Sequence, residues 1–220
     1  MIDAIILAGG RGSRMASDLP KPLVPLFGVP LITHQIKHLE KSGLVDRIVV
    51  SLHYKALLIE DYLRMNHPGS NLIVCLEDTP LGTGGAVRLA MEFVKSEYVI
   101  VLNTDNVSDL DVRQLAMVNE SAIVVSKGVR RSPYGHVDII NGYAKFSEKP
   151  LIEHWTSTGW YLFEKSYIMD YLPLVGSLEK DVLPKLMLRP FRHYGNIWSL
   201  DSKKDIELAE QSSEKQGAFV

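Results

Sequence analysis

Several absences narrow what this 220-residue chain can be. It has one cysteine, Cys75, so no disulfide can close within it and a cross-linked mini-fold is excluded. Cys75 lies in the apolar run Leu72–Leu76 and reads as a small buried hydrophobe. Such a chain fits a reducing compartment, and a cytoplasmic location is expected. Basic excess is also missing. Lys and Arg total 24 against 26 Asp and Glu, a formal charge of −2, with no Lys/Arg run, so no nucleic-acid partner is expected. No apolar stretch is long enough to cross a membrane. The N-terminal apolar run is too short for a signal peptide and lacks a basic flank. There is no internal repeat, no low-complexity tract and no Pro/Gly/Ser linker, which points to one domain. His34 and His38 stand four apart but lack a convincing third ligand, so no zinc site is expected. No Ser-His pair suggests a covalent mechanism.

What is present begins at the first turn. Met1 to Ala8 is a short apolar run that breaks into Gly9-Gly10-Arg11-Gly12-Ser13-Arg14-Met15, with Pro20-Lys21-Pro22 behind it. Glycines let backbone N–H groups approach phosphate oxygens closely. The arginines add forked charge and Lys21 a point charge between two stiff prolines. The combination is suited to a polyphosphate. Two common phosphate loops fail on spacing. Gly10 and Gly12 fit the first glycines of G-x-G-x-x-G, but Met15 takes the third position. No stretch supplies G-x-x-x-x-G-K-[ST].

Further along, strand and helix alternate. A helix is predicted from Pro30 to Gly43, a strand at Arg47–Leu52, a helix at Lys55–Met65 and a strand at Leu72–Leu76. A helix at Ala86–Val94 and a strand at Tyr98–Leu102 follow. Near-continuous apolar strands imply a parallel sheet covered on both faces, with ligands beyond the strands' carboxyl ends. The second half changes character. Val137–Ile140 and Tyr143–Phe146 flank Asn141-Gly142, a strong hairpin signal. A strand at Trp160–Phe163 and helices at Ser166–Leu172 and Asp205–Gln211 complete the pattern. One domain is expected over residues 1–211. It divides into a nucleotide lobe (about 1–132), a sugar-phosphate lobe (about 133–200) and a final helix (201–211). Residues 212–220 are expected to fray.

The string L-A-G-G-R-G-S-R-M followed by P-K-P resembles the signature of the sugar-1-phosphate nucleotidyltransferases, L-A-G-G-x-G-[ST]-R-[LM] and P-K-P. The resemblance spans roughly the whole chain. It implies an α/β fold: a Rossmann-like three-layer sandwich with a mostly parallel central sheet and a smaller mixed-sheet acceptor lobe, of GT-A-like type. It also implies transfer of a nucleoside monophosphate from an NTP to a sugar 1-phosphate with Mg²⁺, and allows a homo-oligomer. On this reading Leu7, Ala8, Gly9, Gly10, Arg11, Gly12 and Ser13 hold the nucleotide, while Arg14 and Lys21 neutralise its phosphates.

The remaining motifs are shorter. Leu81-Gly82-Thr83-Gly84-Gly85-Ala86 resembles the family's nucleobase pocket, where small residues let a flat base lie on the backbone. Gly82 and Thr83 would line it and Glu77 would accept from base or ribose. The string looks most like that of mannose- and heptose-1-phosphate guanylyltransferases. Thr83 could equally cap a helix. Asp105 follows the strand Tyr98–Leu102 and is placed to hold Mg²⁺, with Thr104 where the family usually has glycine. Asp109 and Asp111 read as caps of a helix near Val112. Glu148-Lys149-Pro150 matches the family's E-K-P, where Glu meets sugar hydroxyls and Lys meets phosphate. Gly135 and Ser157-Thr158-Gly159 resemble its sugar-contacting glycine and N-T-G. For the second metal ligand, aligning on Asp205 selects Ser199 and aligning on the first acid selects Asp201. The related I-D-[ST]-x-x-D form favours Asp201. The chain stops soon after its last helix and is expected to carry no C-terminal β-helix. Guanine with a manno-configured sugar is the expected pair. Glucose-1-phosphate thymidylyl or uridylyl transfer, a cytidylyltransferase, and a non-catalytic nucleotide-binding subunit are the alternatives.

Overall fold

β1 (Ile2–Leu7) shows why the chain forms layers. Its residues alternate between two cores. Ile2, Ala4 and Ile6 join one apolar cluster and Ile5 the other, as the two-residue period of a strand requires. β2 (Pro25–Leu26) and β3 (Val29–Pro30) form a small ribbon, turned at Phe27-Gly28. α1 (Leu31–Lys41), β4 (Val45–Leu52), α2 (Ala56–Asn66) and β5 (Leu72–Leu76) follow. Then come α3 (Gly82–Ala90), β6 (Tyr98–Asn103), β7 (Asn106–Ser108) and α4 (Val112–Ala116). This is a computed structural model, and it describes residues 1–15 and 17–216.

The second half opens with β8 (Ala122–Arg131), β9 (His136–Ile140), β10 (Tyr143–Ser147) and the long β11 (Leu151–Glu164). It closes with α5 (Lys165–Met169), β12 (Arg189–His193), β13 (Ile197–Ser199) and α6 (Lys203–Gln216). The last helix runs past the predicted end at 211, and only residues 217–220 of the expected tail fall outside the described residues. α3 begins at Gly82, four residues before the predicted start, so the glycine string lies inside a helix.

Seven strands form one sheet in the order β12-β8-β11-β6-β1-β4-β5. β6, β1, β4 and β5 run parallel, as does β12 with β8. The long β11 is antiparallel to both β6 and β8. α1, α2 and α4 supply one core with Ile36, Ile59 and Leu115. α3 and α5 supply the other with Val87 and Ile168. The outcome is the expected three-layer α/β sandwich with a mostly parallel centre. Cys75 is buried in the α3 core, and burial pushes its thiol up to about 11.

From β1 the chain steps outward to β4 and β5, then crosses back to place β6 on β1's other side. The carboxyl ends of β1 and β6 therefore flank a topological switch point, where open α/β sheets form a crevice. The β9–β10 hairpin is set apart as its own two-stranded sheet. Asn141 and Gly142 both have positive φ (52° and 82°), the geometry a two-residue primed turn demands.

Candidate active site

A cavity of about 480 Å³ opens at that switch point. Leu7, Ala8, Gly9, Gly10 and Arg11 line it from the end of β1, with Lys21 and Pro22 beside them. Glu77, Gly82 and Thr83 line the α3 side, and Asn103, Thr104 and Asp105 the end of β6. Ala86, from the same string, lines it too, as do His53 and Pro80, to which no role was given from sequence.

Lys21 is the centre of the charge arrangement. Its Nζ donates to Asp105 Oδ2 and, at 2.8 Å, to Asp201 Oδ1. Arg14 pairs with the other Asp201 oxygen at 3.2 Å. Lys21 is shielded, its side chain 12% exposed, whereas that of Arg14 is 74% exposed. The Lys21 contacts therefore act in a lower effective dielectric and outweigh the solvated Arg14 pair. Gly12 permits this approach: its φ is +60°, and a Cβ there would stand 2.7 Å from Lys21 Cβ.

The two carboxylates come together through strand pairing. β7 and β13 form a short antiparallel ladder that ends on Asn106 and Ser199. One step beyond, Leu200 donates its N–H to the Asp105 carbonyl at 2.9 Å. Ser199 belongs to the ladder, and Asp201 is the acid that meets Lys21. Asp105 itself is held from behind. Thr104 donates both its N–H (3.2 Å) and its hydroxyl (2.6 Å) to the Leu7 carbonyl, tying the end of β6 to β1. Gln35 Nε2 donates to the carbonyls of Thr104 and Asn106, and Trp160 Nε1 donates to that of Asn106. Thr104 thus does with a hydroxyl what a glycine could not.

Glu77 is fastened in the same way. Ser51 Oγ donates to one of its carboxylate oxygens and the Leu81 N–H to the other. A Cβ on Gly9 would lie 3.0 Å from Glu77 Oε1, so that glycine serves close approach.

The Gly82–Gly85 string also packs against the protein's own backbone. A Cβ on Gly82 would stand 2.5 Å from the Gly176 carbonyl oxygen, and one on Gly85 2.5 Å from that of Leu174. The Gly84 N–H donates to Gly176, and the Gly176 N–H to Leu81. The glycines make room for the 173–177 segment of the same chain. Thr83 is not a helix cap. Its hydroxyl donates to Glu179 at 2.7 Å and accepts the Leu178 N–H at 2.8 Å.

Other predicted residues are placed elsewhere. Ser13 and Arg14 form a short turn outside the cavity lining. Gly135, Glu148 and Lys149 stand at the hairpin's base, away from that lining. A Cβ on Gly135 would collide with the Phe146 ring, and Glu148 lies 3.8 Å from Lys149. Thr158 is buried and its hydroxyl donates to the Val124 carbonyl at 3.1 Å, tying β11 to β8. Asp111 caps α4 through the Arg113 and Gln114 N–H groups, as read from sequence. Asp109 does not; it accepts from Asn196 and faces His193. Asp201 does not cap α6; Ser202 and Asp205 bond reciprocally there, and the Ser202 hydroxyl holds the Asp205 carboxyl below the usual range.

A glycine loop, a shielded lysine and two convergent carboxylates thus stand beside one crevice. A sequence model of the family described as Nucleotidyl transferase matches residues 3–188. The chain belongs to that family. Within it, the chain is 36% identical over 128 residues to a D-glycero-alpha-D-manno-heptose 1-phosphate guanylyltransferase of Campylobacter jejuni, covering 57% of each protein. It is 33% identical to the mannose-1-phosphate guanylyltransferase catalytic subunit beta of Drosophila melanogaster, over 83% of this chain and 54% of that protein. The nucleotidyl transferase chain described here thus spans about half the length of the curated relatives it matches. Among solved structures, HddC from Yersinia pseudotuberculosis complexed with GMP-PN superposes with a TM-score of 0.77 at 30% identity, covering 96% of this chain and 99% of that one.

Proposed function

We propose that this nucleotidyl transferase joins GMP, from GTP, to a mannose- or heptose-type sugar 1-phosphate and releases pyrophosphate. The observation that carries the reading is the meeting of Lys21, Asp105 and Asp201 beside the Gly9–Gly12 loop. The names of the relatives, guanylyltransferases of both sugar types, support the choice of substrates.

The chemistry is in-line displacement at the α-phosphorus. A phosphate oxygen of the sugar 1-phosphate forms a new bond to it as the bond to the β-phosphate bridging oxygen breaks. That nucleophile is already ionised near neutral pH and needs no base. The barrier lies in bringing anions together, so positioned positive charge provides the catalysis. Loop N–H groups hold the polyphosphate, Arg11 and Arg14 offset charge on the leaving pyrophosphate, and Lys21 faces the reacting phosphates. Asp105 and Asp201 are hard oxygen donors that suit Mg²⁺, which when bound would add positive charge against the phosphates. The Lys21 ammonium lies between these two carboxylates. Glu77 accepts from the base or ribose. Glu148, Lys149 and Gly135 receive the sugar phosphate.

The test is pyrophosphate release with Mg²⁺ across ATP, GTP, CTP, UTP and dTTP and a panel of sugar 1-phosphates. Release confined to GTP with mannose or heptose 1-phosphate is expected. Release with another pair would replace the substrates and keep the chemistry. Nucleotide binding without release from any pair would favour a non-catalytic nucleotide-binding subunit.

A further inference from the structure

Lys55 occupies a position for which local energetics would not choose lysine. It sits immediately before α2 with φ 51° and ψ 37°, in the left-handed region where side chains other than Asn, Asp and Gly are uncommon. It places a cation at the positive end of a helix dipole and makes no side-chain cap. A residue that breaks two local rules is explained by a task its side chain performs elsewhere.

That task is visible at the loop. Lys55 Nζ donates to the backbone carbonyl of Asp18, on the far limb of the segment that runs from Gly9 toward Lys21. The ammonium also lies 5.6 Å from the centre of the Tyr54 ring, and the Arg11 guanidinium lies 5.6 Å from the same ring. The Tyr54 N–H donates to the Gly9 carbonyl at 3.2 Å. Tyr54 and Lys55 therefore grip the loop at its start, at Arg11 and at its far limb. The grip comes from just past β4, an interior strand of the sheet paired on both sides, where it can hold a glycine-rich segment that has little stiffness of its own.

We propose that Lys55 is a positioning residue that latches the anion loop through Asp18 and the Tyr54 ring. The loop N–H groups and Arg11 are then held ready for a polyphosphate, and the order is supplied before binding rather than drawn from it. The functional half of this statement rests on the proposed nucleotide site; the latch itself does not.

The experiment compares Lys55→Asn and Lys55→Arg with the wild-type protein. Asn tolerates the left-handed conformation, so Lys55→Asn is expected to melt at the same temperature or higher. Limited trypsinolysis reads the loop directly. Arg11 and Arg14 are cleavable, whereas Lys21 is protected by Pro22. Cleavage at Arg11 and Arg14 is expected to be ~5-fold faster or more in Lys55→Asn, because local opening sets the rate. Lys55→Arg, with similar reach and charge, is expected to restore the wild-type rate. The Kd for GTP should weaken in Lys55→Asn in step with the loss of protection. Equal cleavage rates in the wild-type and Asn proteins would overturn the latch. Failure of GTP to protect wild-type Arg11 and Arg14 would count against the nucleotide site, while the ligand-free cleavage rates still decide the latch.

Discussion

Leu200 donates its N–H to the carbonyl of Asp105 at 2.9 Å, and this bond sets which acid joins Asp105 at the site. It continues the β7–β13 ladder by one step, so that the next residue, Asp201, reaches Lys21. Substitution of Asp105 or Asp201 by Ala should leave a folded protein with pyrophosphate release reduced at least ~100-fold, as for loss of a group acting in the transition state. Ser199→Ala should remain within a few-fold of wild type. A Ser199→Ala loss as large as that of Asp201→Ala would refute this assignment of the second ligand.

Lys21→Ala should also reduce turnover at least ~100-fold, and Arg14→Ala similarly if it acts on the leaving pyrophosphate. Lys21→Ala has a second expected signature. With its ammonium gone, the two carboxylates keep only the solvated Arg14 guanidinium beside Asp201 as counter-charge, so Mn²⁺ affinity without nucleotide should rise on the order of 10-fold. Calorimetric titration with Mn²⁺ reads this, and unchanged affinity would argue that the carboxylates do not act as a pair.

The glycines divide into two kinds, and alanine separates them. Gly85→Ala forces a Cβ to 2.5 Å from a backbone oxygen of the 173–177 segment, and should destabilise the fold by about 1–3 kcal/mol, the range for overpacking. A Cβ on Gly10 meets no protein atom within 4 Å, so the melting temperature of Gly10→Ala should barely move while nucleotide affinity falls. Urea denaturation and nucleotide titration of both variants check the contrast.

His38 makes stability fall in mild acid. Burial holds its imidazole below the usual 6.5, and its Nε2 donates to the Leu110 carbonyl at 2.8 Å. The unfolded chain therefore takes up the proton first as pH drops. Stability contributed by the neutral ring is complete above about 6.5 and declines below it. His67, lowered by the same cause, adds in the same direction. The loss in urea midpoint between pH 7 and pH 5 should shrink in His38→Gln. An identical loss would place the acid sensitivity elsewhere.

Much of the molecule can be read from short stretches. The apolar strands, the glycine break after β1 and the Asn141-Gly142 turn are each specified within a few residues, because strand period and positive φ are local demands. The same holds for the Gly9–Gly12 loop with Lys21, whose residue types carry the proposed anion site. Thr83, Thr158 and the Gly82–Gly85 string were less legible. Their partners, Glu179, Val124 and the 173–177 segment, come from distant parts of the chain. A glycine that admits a ligand and one that admits the protein's own backbone look alike in sequence.

By itself, then, the sequence determined the layered α/β fold and the glycine-rich break after β1, since both rest on local periodicity and backbone freedom. Only the tertiary structure decided that Asp201 stands with Asp105 on Lys21, that Thr104 ties β6 to β1, and that Lys55 reaches Asp18. Each of these depends on register between segments far apart in the chain, and register follows from how the sheet and its cores pack.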